Sequence, residues 1–486
     1  MSNNIYQSVH LKKEILIRIV QAFFSESFEK NTQMIPYDMR PKGSEVPYRC
    51  CIHKERAVLR DRAIAGLGFS IEEDDERTLL MEYAEKSLKR EVPDENVLTV
   101  LDDACKGCAG GRIFVTDLCQ GCVARPCEAT CKFGAISIVN GRSQIDTEKC
   151  KRCKMCISVC PYGAIAQIKV PCEDACPVGA IAKNELGLAK IDFDKCISCG
   201  KCVARCPFAA VHEKSQLIDI MKHIKAGDEV IAMLAPSIVG QLPGTIYQFK
   251  TALLEGGFTD VYEVAEGADV TTKNEAKEFA ERMEKGDEFM TTSCCAGYNQ
   301  FIKKHLPEIK PFVSDTKTPL YYTAEIVREK YPNAKIVFVS PCVAKRAEVQ
   351  DNPNVDYVMN FEELGAYLVG RNIDTLSCEA TPFEVESSKQ GRTFGVSGGV
   401  AAAVKKASNC EDCVNPCYIN GLDKDAIKKL KKFAKEGKCD EGNLVEVMCC
   451  EGGCIGGNAT INTVKVATKA LVEFTKDGKD IEKIGE

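Results

Sequence analysis

The sequence predicts a helical N-terminal region over residues 1–104, a small cysteine-rich α+β region over residues 105–215, and a larger α/β region over residues 216–486. Three observations support this division. Of the 29 cysteines, 16 lie between residues 105 and 206. A short cysteine unit repeats within that same stretch. Strand-like and helix-like runs alternate in the last region, which is typical of a mainly parallel sheet with helices packed on it.

The N-terminal region has the apolar spacing of helices. Apolar residues recur at helical intervals from Leu11 to Glu29, and Glu72 to Lys89 is a charged helical stretch. Prolines between these stretches predict breaks in the helices. They are Pro36, Pro41 and Pro47.

Composition and missing motifs exclude several classes of protein. The chain has 64 basic and 70 acidic residues, a balance that argues against nucleic-acid binding. It has no run of 18 apolar residues and no secretory signal pattern, so we expect a cytoplasmic protein with no membrane span. Nucleotide-binding and flavin-binding glycine motifs are absent. In a long chain of this kind, clustered cysteines indicate metal ligation more than disulfides.

The second region repeats one unit four times: a cysteine, a turn and a short β-prone segment, which makes two pairs. The copies begin at Cys131, Cys160, Cys176 and Cys206. Two stretches, from Cys150 and from Cys196, have the C-x2-C-x2-C-x3-C-P spacing with which bacterial ferredoxins bind [4Fe–4S] clusters. Zinc sites usually need only two CxxC pairs or one with histidine, so the spacing favours iron–sulfur.

Pairing these motifs predicts four cubes, because the first three cysteines of a motif hold one cube and the fourth reaches the neighbouring one. A motif from Cys119 with a longer middle loop pairs with the one from Cys150. The last cube is inferred from cysteines left over; alternatively Cys105 and Cys108 are free and there are three cubes. The expected quartets are Cys119, Cys122, Cys127 and Cys160; Cys131, Cys150, Cys153 and Cys156; Cys176, Cys196, Cys199 and Cys202; and Cys105, Cys108, Cys172 and Cys206.

A series of four cubes would carry electrons one at a time, so the third region should contain the group that uses them. Its strand-like runs are Glu229–Leu234, Asp260–Val264, Lys335–Val339 and Leu444–Met448, with helical stretches at Lys273–Lys285 and Asp423–Lys435. Cysteine motifs follow strand-like runs directly, and open α/β sheets bind ligands at the carboxyl ends of their strands. The motifs are TSCCAGY from Thr292, SPCVAKRAE from Ser340 and EVMCCEGGCIGG from Glu446.

Four thiolates from these three loops, Cys295, Cys342, Cys450 and Cys454, suit a buried cube. Glycines in the third motif would let the backbone approach a large cofactor closely. They are Gly452, Gly453, Gly456 and Gly457.

The three motifs, in this order, resemble the signatures of the [FeFe]-hydrogenases, over about residues 105–475. The resemblance implies an α/β catalytic region with two lobes around an H-cluster, in which a cube is bridged to a two-iron subsite carrying CO, cyanide and a dithiolate amine. The double-cluster domains before it would be ferredoxin-like. It also implies the reversible reaction 2H+ + 2e− = H2, with a ferredoxin as electron carrier and maturation proteins as further partners.

The resemblance implies a role for several single residues. The four cysteines just named would hold the cube, with Cys454 bridging to the two-iron unit. Cys294 would pass protons to the amine, and Lys345 would donate a hydrogen bond to a cyanide. The pocket would be lined by Pro236, Pro341 and Met448.

Protons would travel from Cys294 through a water to Glu275, Ser314 and Glu278, with Arg282 near the exit. Glu275 and Glu278 lie one turn apart on a predicted helix. Without the resemblance, two glutamates on a charged helix indicate a solvated face.

The sequence also departs from the common form of the family, and the departures resemble a divergent subgroup. The common form has Pro, Trp, Met and Ala where this chain has Ala296, Tyr298, Ser340 and Cys449. Two alternatives stay open: an H2-sensing regulatory hydrogenase, and an iron–sulfur assembly protein that lacks the two-iron subsite. Cys294 argues against the second, since a scaffold needs no proton-transfer thiol.

Other residues keep two interpretations. Basic residues around one cluster motif could steer an acidic carrier or form a solvated surface; they are Lys149, Lys151, Arg152 and Lys154. Cys410, Cys413, Cys417 and Cys439 could hold a metal or be free or structural thiols. Adjacent Cys50 and Cys51 are either structural thiols or have a redox or ligand role, and Cys378 has no predicted partner.

Overall fold

A computed structural model describes residues 7–44, 49–105, 108, 110–408 and 410–484. Its N-terminal region is helical, as predicted. The helices are α1 (Gln7–Phe23), α2 (Phe28–Met39), α3 (Ile52–Gly66) and α4 (Leu80–Lys89).

The helix boundaries in this region differ from the prediction for local reasons. The stretch from Leu11 to Glu29 breaks after α1, where the Ser25 hydroxyl donates to the Ala22 carbonyl and competes with the helical backbone. The predicted break at Pro36 is wrong, because α2 continues through this buried residue. Packing of that face outweighs the local cost of an interior proline, about 3 kcal/mol. Pro41 follows α2, and Pro47 lies outside the described residues.

The second region consists of very short helices and two-stranded antiparallel sheets, in which β2 pairs with β5, β3 with β4 and β6 with β7. The pair of β1 and β8 joins residues 98–100 to residues 211–213, so the N-terminal and cysteine-rich regions share a sheet. The elements are β1 (Leu98–Val100), α5 (Asp102–Cys105), β2 (Arg112–Val115), α6 (Pro126–Thr130), β3 (Ile136–Val139), β4 (Arg142–Ile145), α7 (Met155–Val159), β5 (Ile165–Ile168), α8 (Pro171–Ala175), β6 (Ile181–Lys183), β7 (Ala189–Ile191), α9 (Lys201–Arg205) and β8 (Val211–Glu213).

The third region alternates strands and helices, which confirms the predicted α/β pattern. The elements are α10 (Leu217–Ala226), β9 (Val230–Leu234), α11 (Ile246–Glu255), β10 (Asp260–Glu263), α12 (Ala265–Glu284), β11 (Met290–Thr291), α13 (Ala296–His305), α14 (Pro319–Lys330), β12 (Lys335–Ser340), α15 (Ala344–Gln350), β13 (Tyr357–Asn360), α16 (Phe361–Gly370), α17 (Lys389–Thr393), α18 (Gly399–Ala407), β14 (Pro416–Asn420), α19 (Lys424–Glu436), β15 (Leu444–Met448) and α20 (Val464–Thr475).

The strands of this region form two parallel sheets, with the orders β10-β9-β12-β13 and β11-β15-β14. Strands β9 and β15 are buried along their whole length. The cysteine motifs begin where β11, β12 and β15 end, so the carboxyl ends of strands from both sheets carry them.

The N-terminal helices pack against the α/β region. Helix α1 contacts α16, and Lys12 on α1 forms ion pairs with Glu213 and Glu362 at 2.8 and 2.5 Å. Among the residues that the structure describes, no helix is both long enough and apolar enough to cross a membrane.

Candidate iron–sulfur and catalytic site

Two cavities in the second region are each lined by one predicted quartet of cysteines. One cavity is lined by Cys119, Cys122, Cys127 and Cys160, together with Ile165 and other residues. The other is lined by Cys131, Cys150, Cys153 and Cys156, between Ile113 and Met155. The fold therefore brings together the same thiols that the crossed pairing groups into quartets.

The remaining two quartets also gather. Burial, followed by the charges of Cys199 and Cys196, raises the pKa of Cys202 well above its usual value, and Cys176 acts in the same direction. Burial and the nearby Cys206 raise the pKa of Cys172 to about 11, with a further contribution from Cys105. Burial raises the pKa of Cys108, and the charges of Cys206 and Cys105 act in the same direction. Thiols crowded in this way favour a shared cation, which would neutralise them.

The same kind of hydrogen bond occurs in each of the four repeat units. In each unit the alanine four residues after the cysteine donates its backbone N–H to that cysteine's sulfur, at 3.1 to 3.4 Å. The intervening turn has a positive φ, at Gly134, Gly163, Gly179 and Ala209. Such N–H donors stabilise anionic sulfur, so the repeat provides a favourable setting for cluster thiolates. The donors are Ala135, Ala164, Ala180 and Ala210.

The four predicted catalytic-cube thiols lie near one another between the ends of the two sheets. Burial and the neighbouring Cys454 and Cys295 raise the pKa of Cys342 to about 12. Burial also raises the pKa of Cys450 well above its usual value, and its neighbours are Cys342, Cys295 and Cys454. Three loops therefore bring these thiols to one place.

Glu275 on α12 is completely buried, at 0% exposure, and lies near Cys294. Neither of its carboxyl oxygens has a hydrogen-bond partner of good geometry among the described residues. Burial and the charge of Glu278 raise its pKa to about 8. A buried carboxyl in this state can hold a proton at neutral pH and release it when the surroundings change.

Ser314 connects this carboxyl to Glu278. Its hydroxyl donates to Glu278 Oε2 at 2.8 Å and lies against Glu275. Burial favours the neutral form of Glu278, but N–H and hydroxyl donors together with Arg282 outweigh it and lower the pKa of Glu278. Arg282 donates to Glu278 Oε1 at 2.8 Å and lies 3.3 Å from the exposed Asp315. The predicted relay residues are thus adjacent, and the two glutamates differ in protonation.

Lys345 is buried on α15, and its Nζ lies 2.6 Å from Glu348 Oε2. Burial opposes its charge, but Glu348 outweighs burial and raises the pKa of Lys345. Pro236 and Pro341 are buried at the ends of β9 and β12, and Met448 ends β15. Pro341 and Met448 therefore lie within two residues of Cys342 and Cys450 along the chain, and Pro236 follows β9, the strand that pairs with β12.

Several contributors were not predicted from the sequence. Glu446 on β15 accepts the N–H groups of Gly398 and Ala401 and so fastens the start of α18 beside Cys294. Lys183 donates to Cys105 Sγ at 3.3 Å. Each of these contacts joins segments far apart in sequence, and no local pattern signals them.

The glycines of the third motif allow other parts of the protein to pack closely against them. A Cβ at Gly453, where φ is +84°, would lie 2.6 Å from the Gly395 carbonyl oxygen, and one at Gly457 would lie 2.7 Å from that of Pro341. Cβ atoms at Gly452 and Gly456 would meet Val464 and the Glu451 carbonyl oxygen in the same way. In this structure the close approach is between loops around the thiols.

Six of the other cysteines lie in pairs, and one of these pairs is a disulfide rather than the metal ligands or free thiols that the sequence suggested. Cys410 and Cys413 form a disulfide, and Cys417 lies beside Cys439. Cys50 and Cys51 are exposed with sulfurs 3.8 Å apart, and the Cys378 thiol donates to the Asp374 carbonyl at 3.4 Å. Within the described residues, no three His, Cys, Asp or Glu side chains are arranged to hold a single metal ion.

Comparison with known families gives an independent assignment. Residues 228–458 match the iron only hydrogenase large subunit, C-terminal domain. This part of the chain belongs to the [FeFe]-hydrogenase family. Within the cysteine-rich region, residues 143–166 match a 4Fe-4S binding domain and residues 167–217 the LdpA Fe-S cluster-binding domain.

Curated relatives agree with this membership in the [FeFe]-hydrogenase family. Iron hydrogenase 1 of Clostridium pasteurianum is 29% identical over 304 residues, covering 50% of this chain and 52% of that protein. The NADP-reducing hydrogenase subunit HndD of Solidesulfovibrio fructosivorans is 29% identical over 287 residues, covering 47% and 49%. The chain thus spans about half the length of these two relatives.

A solved [FeFe]-hydrogenase HydA1 from Chlamydomonas reinhardtii superposes on 53% of this chain and 88% of its own, with 21% identity and a TM-score of 0.44. At that TM-score the superposition establishes no detail of the site. The family matches therefore give an [FeFe]-hydrogenase domain over residues 228–458, preceded by iron–sulfur-binding segments over residues 143–217.

Proposed function

We propose that this chain is a catalytic [FeFe]-hydrogenase that interconverts protons and electrons with H2 at an H-cluster. The observation that carries the proposal is the position of Cys294. It lies near Cys295 and Cys454, two of the thiols proposed for the cube, and near the buried Glu275. An assembly scaffold or a simple electron carrier has no need of a thiol between its ligands and a buried acid.

The residues fit the proposed cofactor. Cys295, Cys342, Cys450 and Cys454 would hold its cube, and Cys454 would also bridge to the two-iron subsite. When bound, the H-cluster supplies the metal centre at which H2 is formed or split. The buried Lys345 ammonium would donate a hydrogen bond to an anionic cyanide. The pocket side chains Pro236, Pro341 and Met448 are apolar, so they would exclude water from the centre.

Protons would move along the side chains of α12 and its neighbours. The Cys294 thiol would exchange a proton with Glu275 through a water, which would satisfy carboxyl oxygens that have no hydrogen-bond partner of good geometry among the described residues. Glu275 would exchange it with Ser314, and Ser314 with Glu278, whose carboxylate it already contacts at 2.8 Å. Arg282, 14% exposed, holds the outer carboxylate near solvent.

Electrons would pass through four accessory cubes held by the quartets of the second region. The surface around the two cysteine-lined cavities of the second region suits a small acidic carrier such as a ferredoxin. It exposes apolar side chains beside basic ones, namely Leu118, Val123, Phe133, Met155 and Tyr162 with Lys149, Lys151, Arg152 and Lys154. Exposed apolar groups rimmed by charge are typical of transient docking sites.

Infrared spectroscopy of protein made together with its maturation machinery tests the proposal. We expect CO and cyanide bands together with H2 evolution from reduced ferredoxin. Protein made without that machinery is the control, and it should keep its cubes but show neither bands nor turnover. Matured protein that has the cubes and lacks the bands would point to the assembly-protein alternative.

The docking surface has its own test. Changing Lys151 to Glu should raise the KM for ferredoxin and reduce its dependence on salt, because steering between opposite charges is screened by ions. Turnover with a small neutral dye should not change. An unchanged KM for ferredoxin would place the docking site elsewhere.

A further inference from the structure

Cys449 is the first residue after β15, and it contacts ligands of two different proposed cubes. Its backbone N–H donates to Cys295 Sγ at 3.4 Å. Its side chain lies beside the side chain of Cys199. Cys449 itself is only 3% exposed and is not one of the proposed ligands. One residue therefore spans the gap between the cysteine-rich region and the catalytic region.

The packing around Cys449 is tight and involves both regions. A Cβ at Gly297 would lie 3.0 Å from Cys449 Sγ and 3.9 Å from the Cys199 Cβ. A Cβ at Gly200 would lie 2.1 Å from Asn458 Nδ2 in the catalytic region. Glycine at both positions thus lets the two cysteine loops approach each other.

Lysines hold the same two surfaces together. Lys304, on α13, donates to the carbonyls of Phe193 and Cys196 at 2.8 Å. Lys201 beside the Cys199 motif donates to the Leu422 carbonyl at 2.6 Å. The position of Cys449 between Cys199 and Cys295 is therefore held from both sides.

We propose that Cys449 is a positioning residue for electron transfer between the accessory cube on Cys199 and the catalytic cube on Cys295, which rests on the proposed function. Its S–H would donate to the Cys199 sulfur, and its N–H donates to the Cys295 sulfur. When both cubes are bound, one electron would pass from the reduced accessory cube to the catalytic cube, or back during H2 oxidation. Cys449 itself would be neither oxidised nor reduced.

The physical effect of these donors is on the reduction potentials. A reduced cube carries one more negative charge than an oxidised one, so a hydrogen bond to its sulfur stabilises the reduced form. Alanine at position 449 keeps the N–H donor and removes only the S–H donor. The two cubes can thus be perturbed one at a time.

Redox titration followed by electron paramagnetic resonance tests the proposal in matured protein. In Cys449→Ala, the reduced-to-oxidised ratio of the Cys199 cube at fixed potential should fall about three- to tenfold, tenfold being about 59 mV for one electron. Cys449→Ser restores a donor and should recover most of that ratio. Cys378→Ala, another buried thiol that lies away from the cluster cysteines along the chain, is the matched control and should titrate like the unmodified protein.

The outcomes separate this inference from the proposed function. Infrared bands from CO and cyanide in the unmodified protein establish the H-cluster, and their absence counts against the proposed function alone. If the bands are present and Cys449→Ala titrates like the unmodified protein, the inference is wrong. A shift of equal size in the Cys378→Ala control would overturn it as well, because the effect would then not come from the Cys199 contact.

Discussion

Replacing Glu275 with Gln tests the proton relay at its most buried point. The side chain is fully buried and close in shape to glutamine, so the fold should tolerate the change. Glutamine cannot take up and release a proton at neutral pH. The substitution therefore removes proton transfer while leaving the cysteines and their surroundings in place.

The expected loss of activity is large. A positioned acid or base contributes about 10²–10⁴-fold to a rate, so H2 turnover should fall by about that factor. In free energy this is about 3–5 kcal/mol of activation barrier, at about 1.4 kcal/mol for each factor of ten. A residue on a solvated helix face would have almost no effect.

The pH dependence has a direction that follows from the raised pKa of Glu275, about 8. Below that pH the carboxyl is protonated and can give a proton towards Cys294, so H2 production should fall as pH rises through about 8. H2 oxidation needs the ionised carboxylate as acceptor and should rise through the same range. The Glu275→Gln protein should show neither of these two changes with pH.

The assay is H2 production and H2 oxidation with a viologen dye over a range of pH, with infrared spectra and iron content of each preparation. Glu281→Gln is the matched control, because Glu281 is an exposed glutamate on the same helix. Activity within about threefold of the unmodified protein, with intact infrared bands, would refute the relay, since that loss is far below what a positioned acid supplies.

Three further predictions concern other parts of the chain. Cys294→Ala should keep the iron and the infrared bands but lose about 10²–10⁴-fold in turnover, with partial recovery in Cys294→Asp, whereas Cys295→Ala should lose the cofactor; normal turnover in Cys294→Ala would require another proton route. Cys105→Ala should lower the iron content from roughly 22 to roughly 18 atoms per chain, counting four per cube and two for the two-iron subsite; a content of roughly 18 atoms that is the same with and without the substitution would mean three accessory cubes. Arg346→Met should destabilise folding by about 3–5 kcal/mol in denaturant unfolding, because Glu363, 2.7 Å away, stays buried and unpaired; an equal loss in a variant that also carries Glu363→Gln would contradict this reason.

The features that the sequence determined by itself are those with a short-range cause. The strands β9, β10, β12 and β15 lie where strand-like runs predicted them. For β9, β12 and β15 the cause is that a strand buried on both faces must be largely apolar, whereas β10 is half-buried at alternate residues. Cysteine spacing likewise predicts which thiols a single loop can present to a cluster. The crossed quartets followed from that spacing, and two of them line separate cavities.

Element boundaries were less predictable where long-range contacts decide them. Helix α12 begins at Ala265, eight residues before the predicted Lys273, because Gly267 and Ala268 pack in the interior and show no amphipathic contrast. Strand β11 is two residues long and exists through its pairing with β15. Neither feature has a local pattern long enough to recognise.

Only the tertiary structure decided the contacts that connect the three regions. Cys449 meets Cys199 and Cys295, which are about 250 and 154 residues away in sequence, and Lys183 meets Cys105 across 78 residues. Packing of separate segments creates these contacts, and each depends on the positions of both. The residue types that bind clusters are thus encoded locally, whereas the distances between cluster sites arise only when the chain folds.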